Sequence, residues 1–183
     1  EESALKINTE GLQNLIDFAE NKNISIIHFS TDYVFDGESS EPYPEQAATN
    51  PIGIYGNSKL QGEVRLLKSS CKNVTIRISW LFSPFGENFV KTIARIAKEK
   101  SDLKVVEDQW GRPTYGIDLA RTVLKLISNN TIYTFPILHY ANQGMCSWKE
   151  FAEVIVNELE HKTTIQEIPT SAYPTLAKRP KYS

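Results

Sequence analysis

Apolar residues along this chain fall into short compact runs separated by longer stretches of helical periodicity. Leu5, Leu12, Leu15, Ile16 and Ala19 recur at helical spacing, which predicts an amphipathic helix and places Asn8 on its apolar side. Ile24 to Phe29 is short and β-branched, as in a buried strand, and ends at Ser30 and Thr31. A polar loop rich in Glu, Pro and Ser follows, from Asp36 to about Pro51. Tyr55 to about Ser69 is helical in spacing, with Leu60, Val64 and Leu67 on one side and Gly62 on the side of Tyr55 and Lys59. Val74, Ile76, Ile78 and Trp80 then alternate with Thr75, Arg77 and Ser79, the signature of a strand.

The second half repeats the alternation. Asn88 to Lys100 carries Phe89, Ile93, Ile96 and Ala97 on one helical stripe, opposite Lys91, Arg95 and Lys98. Leu103 to Val106 reads as a short strand, and Asp118 stands where an N-cap belongs before Leu119, Val123, Leu124 and Ile127. Leu138 to Ala141 is a further strand, and Ser147 with Glu150 forms a capping box ahead of Phe151, Ile155 and Leu159. From Thr163 onward the chain is irregular or extended. Strands alternating with helices imply an α/β fold with a mostly parallel sheet covered by helices. Ligands bind such sheets at the carboxyl ends of strands, here Ser30 to Asp32 and Trp80 to Ser83.

Composition narrows the functional classes. The chain has 183 residues, 40% hydrophobic and 23% charged, enough for one domain with a sizeable core. A net charge of -2 provides no basic field for a phosphate backbone, so nucleic acid is not an expected partner. Cys71 and Cys146 are the only cysteines and suggest neither a disulfide framework nor a zinc knuckle, which suits a reducing cytoplasm. No apolar run reaches membrane-spanning length, and the first residues lack the pattern of a signal peptide, so a soluble, cytoplasmic protein without a membrane partner is expected. His28, His139 and His161 have no metal-ligand spacing.

Candidate chemistry centres on Tyr55-Gly56-Asn57-Ser58-Lys59. A phenol and an ammonium four residues apart share a helix face and can act on one substrate atom. A nearby cation favours the phenolate, which would bring proton transfer by Tyr55 within reach of neutral pH. Taken alone, the spacing also occurs on ordinary surface helices. Gly62, on the same side, suggests a close approach there, and Thr31 at a strand end is placed to bind the oxygen that Tyr55 protonates; an ordinary strand-end hydroxyl is the alternative for Thr31.

Several strings together resemble the dTDP-4-dehydrorhamnose reductases, extended short-chain dehydrogenase/reductases. They are Ser30-Thr31-Asp32-Tyr33-Val34-Phe35-Asp36-Gly37, Tyr55-Gly56-x-Ser58-Lys59-Leu60-x-Gly62-Glu63 and Arg77-x-Ser79-Trp80-x-Phe82-Ser83-Pro84. Asn88-Phe89-Val90, Asp108-Gln109-Trp110-Gly111-Arg112-Pro113-Thr114 and Arg179-Pro180-x-Tyr182-Ser183 complete the match, which covers essentially the whole chain.

The resemblance implies a catalytic triad of Thr31, Tyr55 and Lys59, with Tyr55 and Lys59 also touching the cofactor, NADPH or NADH. It implies a dTDP-sugar substrate contacted by Thr31, Asp32, Tyr33 and Trp80; core packing is the alternative for Trp80. Asn8 corresponds to a lysine-supporting asparagine or is a capping or core amide. The resemblance also brings in Mg2+ as a candidate cofactor and a homodimer as a candidate assembly. The expected fold is the C-terminal part of a Rossmann-like sheet, at about 1–83 and 104–128, with a small α/β substrate-binding portion at about 84–103 and 129–183. No G-x-x-G-x-x-G is present, so roughly the first third of the parent is expected to be missing, leaving an open sheet edge and a chain that by itself binds cofactor poorly and shows little activity. A sugar-nucleotide epimerase or dehydratase, and a non-catalytic regulatory subunit, are the alternative functions.

Overall fold

The computed structural model describes residues 2–173, 175 and 177–182; Glu1, and Ser183 of the terminal motif, lie outside the described residues. The chain opens with α1 (Glu2–Leu5), a π-helical turn (Lys6–Glu10) and α2 (Gly11–Lys22), followed by β1 (Ile26–Thr31) and a 3-10 turn (Asp32–Val34). Next come α3 (Ile54–Lys68), β2 (Asn73–Ile78), β3 (Leu81–Phe82), α4 (Phe89–Ala97) and β4 (Asp102–Val106). Two short strands, β5 (Trp110–Gly111) and β6 (Thr114–Tyr115), precede α5 (Gly116–Ser128). The remainder is β7 (Ile137–Tyr140), β8 (Cys146–Ser147), α6 (Trp148–Glu158) and β9 (Thr164–Ile168).

β2 is the middle strand of a parallel sheet ordered β1-β2-β7. Helices cover both faces: Val74 and Ile76 pack with Leu119 and Val123 of α5, while Ile26 packs on the other face with Leu12, Ile16 and Leu66 of α2 and α3. This position explains why the polar partners in the alternation of β2 do not face water. Thr75 and Arg77 are buried together with Val74 and Ile76. Arg77 stacks over Phe35 and binds Glu63 of α3 through Nε and Nη2, the latter at 2.7 Å, with both side chains 5% exposed.

A second parallel pair, β4-β9, carries α4 and α6. Ile93, Ala97, Leu103, Val105, Ala152, Ile155 and Val156 form its core. The expected division of the chain thus differs in two places. Strand 102–106 belongs to this smaller sheet because its partner is β9, and strand 137–140 adds to the larger sheet beside β2.

The helix ends follow local chemistry with one correction. Asn88 caps α4 through Lys91 N, and Ser147 and Glu150 complete the expected capping box of α6. Asp118, however, is not an N-cap: α5 starts two residues earlier at Gly116, and the Tyr115 amide is bound by Asn142 Oδ1 at 2.8 Å. Among the described residues no helix is long and apolar enough to cross a membrane.

Candidate active site

Gly56 and Ser58 build the platform on which Tyr55 and Lys59 stand. A Cβ on Gly56 would collide with the carbonyl of Tyr33, so glycine lets α3 nest against the turn that follows β1. Ser58 is fully buried; its Oγ accepts from Asn8 Nδ2 at 3.0 Å, and its carbonyl accepts from Thr9 Oγ1 at 2.9 Å. The close approach signalled by Gly62 is made by the π-helical turn, since a Cβ there would lie 2.6 Å from the carbonyl of Asn8. Asn8 therefore holds α3 through Ser58, one residue from Lys59.

Thr31, Asp32, Tyr33 and Tyr55 come together at the carboxyl end of β1. The Thr31 hydroxyl accepts from the Tyr33 amide at 3.2 Å and lies 3.1 Å from Asp32 Oδ1. Tyr33 and Tyr55 meet edge to face, with ring centroids 6.1 Å apart. Burial raises the Tyr55 phenol above its ordinary value, a hydrogen bond with Thr31 pulls it partly back, and the Asp32 charge adds to the rise. Burial, reinforced by Asp32, pushes Tyr33 up to about 12. Both phenols therefore carry their protons at neutral pH.

The expected lowering of Tyr55 by a neighbouring ammonium is not met. Lys59 Nζ donates to the carbonyl of Phe29 at 2.7 Å, and burial dominates at the phenol. Lys59 itself is lowered by burial, with Glu63 acting in the opposite direction. The result is a protonated, half-exposed phenol beside a hydroxyl, an arrangement that suits donation of a proton more than its removal.

Trp80 stands apart from these four residues. It follows β2 with a left-handed backbone (φ 43°), and its indole stacks on Trp148 at 3.5 Å and 8°. Its other neighbour is Gly111, where a Cβ would sit 2.7 Å from Trp80 Nε1. The Asp108 to Thr114 string thereby has a structural use: Asp108 binds Thr170, Gly111 accommodates Trp80, and the Arg112 carbonyl accepts from Ser79 Oγ at 2.6 Å.

Two cavities flank this ground. One of about 270 Å³ opens at the carboxyl ends of β1, β2 and β7, among Asp32, Ser79, Arg112, Tyr140 and Tyr182. Another of about 390 Å³ lies between α4 and β4, with Phe89, Ile96 and Trp148 as apolar wall and Lys104 and Arg179 as cations. Neither Trp148 nor Lys104 was singled out by the sequence, because a tryptophan opening a helix and a lysine on a strand carry no local signal. Among the described residues no group of three or more His, Cys, Asp or Glu side chains is placed to hold a metal ion, and nothing in the structure supports the Mg2+ that the resemblance suggested. For a dinucleotide, the half-exposed Tyr55 phenol and the Lys59 ammonium are the groups on offer, beside the open edge of β1.

The model of the RmlD substrate binding domain matches residues 1–183. A dTDP-4-dehydrorhamnose reductase of Aggregatibacter actinomycetemcomitans is 42% identical over 99% of this chain and 65% of its own length. The crystal structure of a dTDP-4-dehydrorhamnose reductase ortholog of Clostridium acetobutylicum superposes with a TM-score of 0.94 at 40% identity, covering 100% of this chain and 65% of that one. A Bacillus anthracis dTDP-4-dehydrorhamnose reductase in complex with NADP gives 0.91 at 38% identity, over 96% and 61%. The chain thus spans a little under two thirds of the length of these relatives. Its parallel sheet with helices on both faces is the Rossmann-like fold of these reductases, and the chain belongs to the RmlD substrate-binding-domain family.

Proposed function

We propose that this chain supplies the catalytic triad and the substrate site of a cytoplasmic NAD(P)H-dependent dTDP-4-dehydrorhamnose reductase, which converts dTDP-4-dehydro-L-rhamnose to dTDP-L-rhamnose for cell-surface polysaccharide synthesis. The observation that carries this reading is the meeting of Thr31, Asp32 and Tyr33 with Tyr55 at the carboxyl end of β1, where Tyr33 and Tyr55 pack edge to face. In that geometry Thr31 holds the C4 oxygen of the sugar and Tyr55 gives it a proton. When bound, NAD(P)H supplies the hydride, with Tyr55 and Lys59 as its contacts on this chain. Asp32 and Tyr33 border the sugar, and Trp80 contacts it. The cavity with Phe89, Trp148, Lys104 and Arg179 combines an apolar wall with two cations, which suits the thymidine diphosphate.

An intact Thr31, Tyr55 and Lys59 cluster favours this over a non-catalytic regulatory subunit. The test is oxidation of NADPH by the full-length protein in the presence of the 4-keto sugar nucleotide, with Tyr55→Phe alongside. Loss of about 100- to 10,000-fold in turnover is expected, the usual contribution of a positioned general acid. Unchanged turnover at saturating substrate removes Tyr55 from the mechanism.

A further inference from the structure

We infer that Trp148 is a positioning residue that fixes the orientation of Trp80 by covering one face of its indole, so that the sugar meets only the part of the ring left uncovered. The inference rests on the placement of Trp80 at the sugar proposed above.

Three observations converge on it. The two indoles lie 3.5 Å apart and within 8° of parallel, so one face of Trp80 is occupied by Trp148. Gly111 approaches the same ring so closely that a Cβ would lie 2.5 to 2.8 Å from its Cε2, Nε1 and Cζ2 atoms, which leaves no room there for a ligand. The backbone of Trp80 adopts φ 43°, a conformation unfavourable for a bulky L-residue, and it therefore persists only where surrounding contacts hold it. A stacked partner on the ring is such a contact.

Trp148 is itself held from the other portion of the molecule. It is the first residue of α6, immediately after the capping-box serine, and Phe89 at the start of α4 packs against it with centroids 4.5 Å apart. It also lines the cavity that carries Lys104 and Arg179. Trp148 therefore stands between that cavity and Trp80, and the orientation of a residue at the end of β2 depends on a helix that packs on β4 and β9.

Two linked measurements test this. Stacked indoles couple their transitions and give a paired positive and negative band in the far-ultraviolet circular dichroism. Trp148→Phe and Trp80→Phe should each abolish that couplet, and Trp110→Phe should leave it; a couplet that survives Trp148→Phe overturns the inference. Calorimetric titration of the full-length protein with dTDP and with dTDP-L-rhamnose then gives the affinity added by the sugar, a ratio in which any direct effect of Trp148 on the nucleotide cancels. Trp148→Leu should lower that ratio roughly 2- to 12-fold, the range for a lost aromatic pair, and should have no effect on it in a Trp80→Ala background. Trp148→Phe should restore part of the ratio. Additive losses in the double variant, or no sugar increment in the wild type, overturn the inference. A wild type that binds dTDP-L-rhamnose but does not turn over the keto sugar sinks the reductase reading alone, since binding is what is measured here.

Discussion

The two sheets solve the same problem to different degrees. The β4-β9 pair is closed off by α4 and α6 around its own aliphatic core, and Ala152 there is completely buried. The β1-β2-β7 sheet buries its middle strand on both faces, yet β1 is an edge, and Phe29 on it is 44% exposed. On α2, Leu15 and Phe18 stand 61% and 57% exposed. Thr31, Tyr55 and Lys59 belong to this more open portion, whereas the ring that steadies Trp80 belongs to the closed one. The candidate catalytic residues thus lie on the more exposed portion, and the ring stacked on Trp80 comes from the portion with its own aliphatic core.

The comparison is broken most severely at the anchor of the open portion. Glu63→Gln leaves the Arg77 guanidinium buried without its counter-charge, and a loss of about 3 to 5 kcal/mol in chemical denaturation is expected. A loss below about 1 kcal/mol would mean that the open sheet does not depend on this pair.

His28 on β1 gives the next effect. Burial first, and then the charge of Lys59, lowers it from 6.5 to about 4. The unfolded chain therefore takes up a proton near pH 6.5 that the folded chain refuses until about pH 4. Stability contributed by keeping His28 neutral is full above this window and is lost as pH falls through it, by on the order of 3 kcal/mol. His28→Gln should flatten the acid limb of a stability-versus-pH curve between these values, and an unchanged limb would contradict the assignment.

A smaller change is expected in the closed portion. Ser147→Ala removes the hydroxyl that accepts from Glu150 N and should cost about 1 kcal/mol, read from the thermal midpoint. The smallest belongs to the exposed face: Phe18→Ser should shift the stability of this chain by less than about 0.5 kcal/mol. A larger loss in the full-length protein than in this chain would show that further sequence covers α2.

Much of this was legible from spacing alone. Tyr55 and Lys59 share a helix face whatever surrounds them, and the capping box at Ser147 is written in four consecutive residues. What escaped depended on distant partners. Strand β9 reads Thr-Ile-Gln-Glu-Ile with little buried surface, and only its pairing with β4 makes it a strand. Thr75 and Arg77 imitate a solvated face because polarity does not reveal a buried Glu63 fourteen residues away. The start of α5 is supported by Asn142, which no local rule connects to Tyr115. The seat of Trp80 likewise needs Gly111 and Trp148 brought together from two other segments.

Gly37 has a left-handed backbone (φ 80°) pressed against Pro180, its carbonyl accepts from Tyr182 N at 3.2 Å, and Lys181 O binds the amide of Trp110 at 2.9 Å. On a ribosome these contacts arise in a fixed order. The loop beginning at Asp36 leaves the exit tunnel long before the Pro180 to Tyr182 segment that pins it, and closing so long a loop is slow as well as entropically costly. The rim of the cavity among Asp32, Tyr43 and Tyr182 should therefore become ordered later during synthesis than the strands beside it, however early those strands pair.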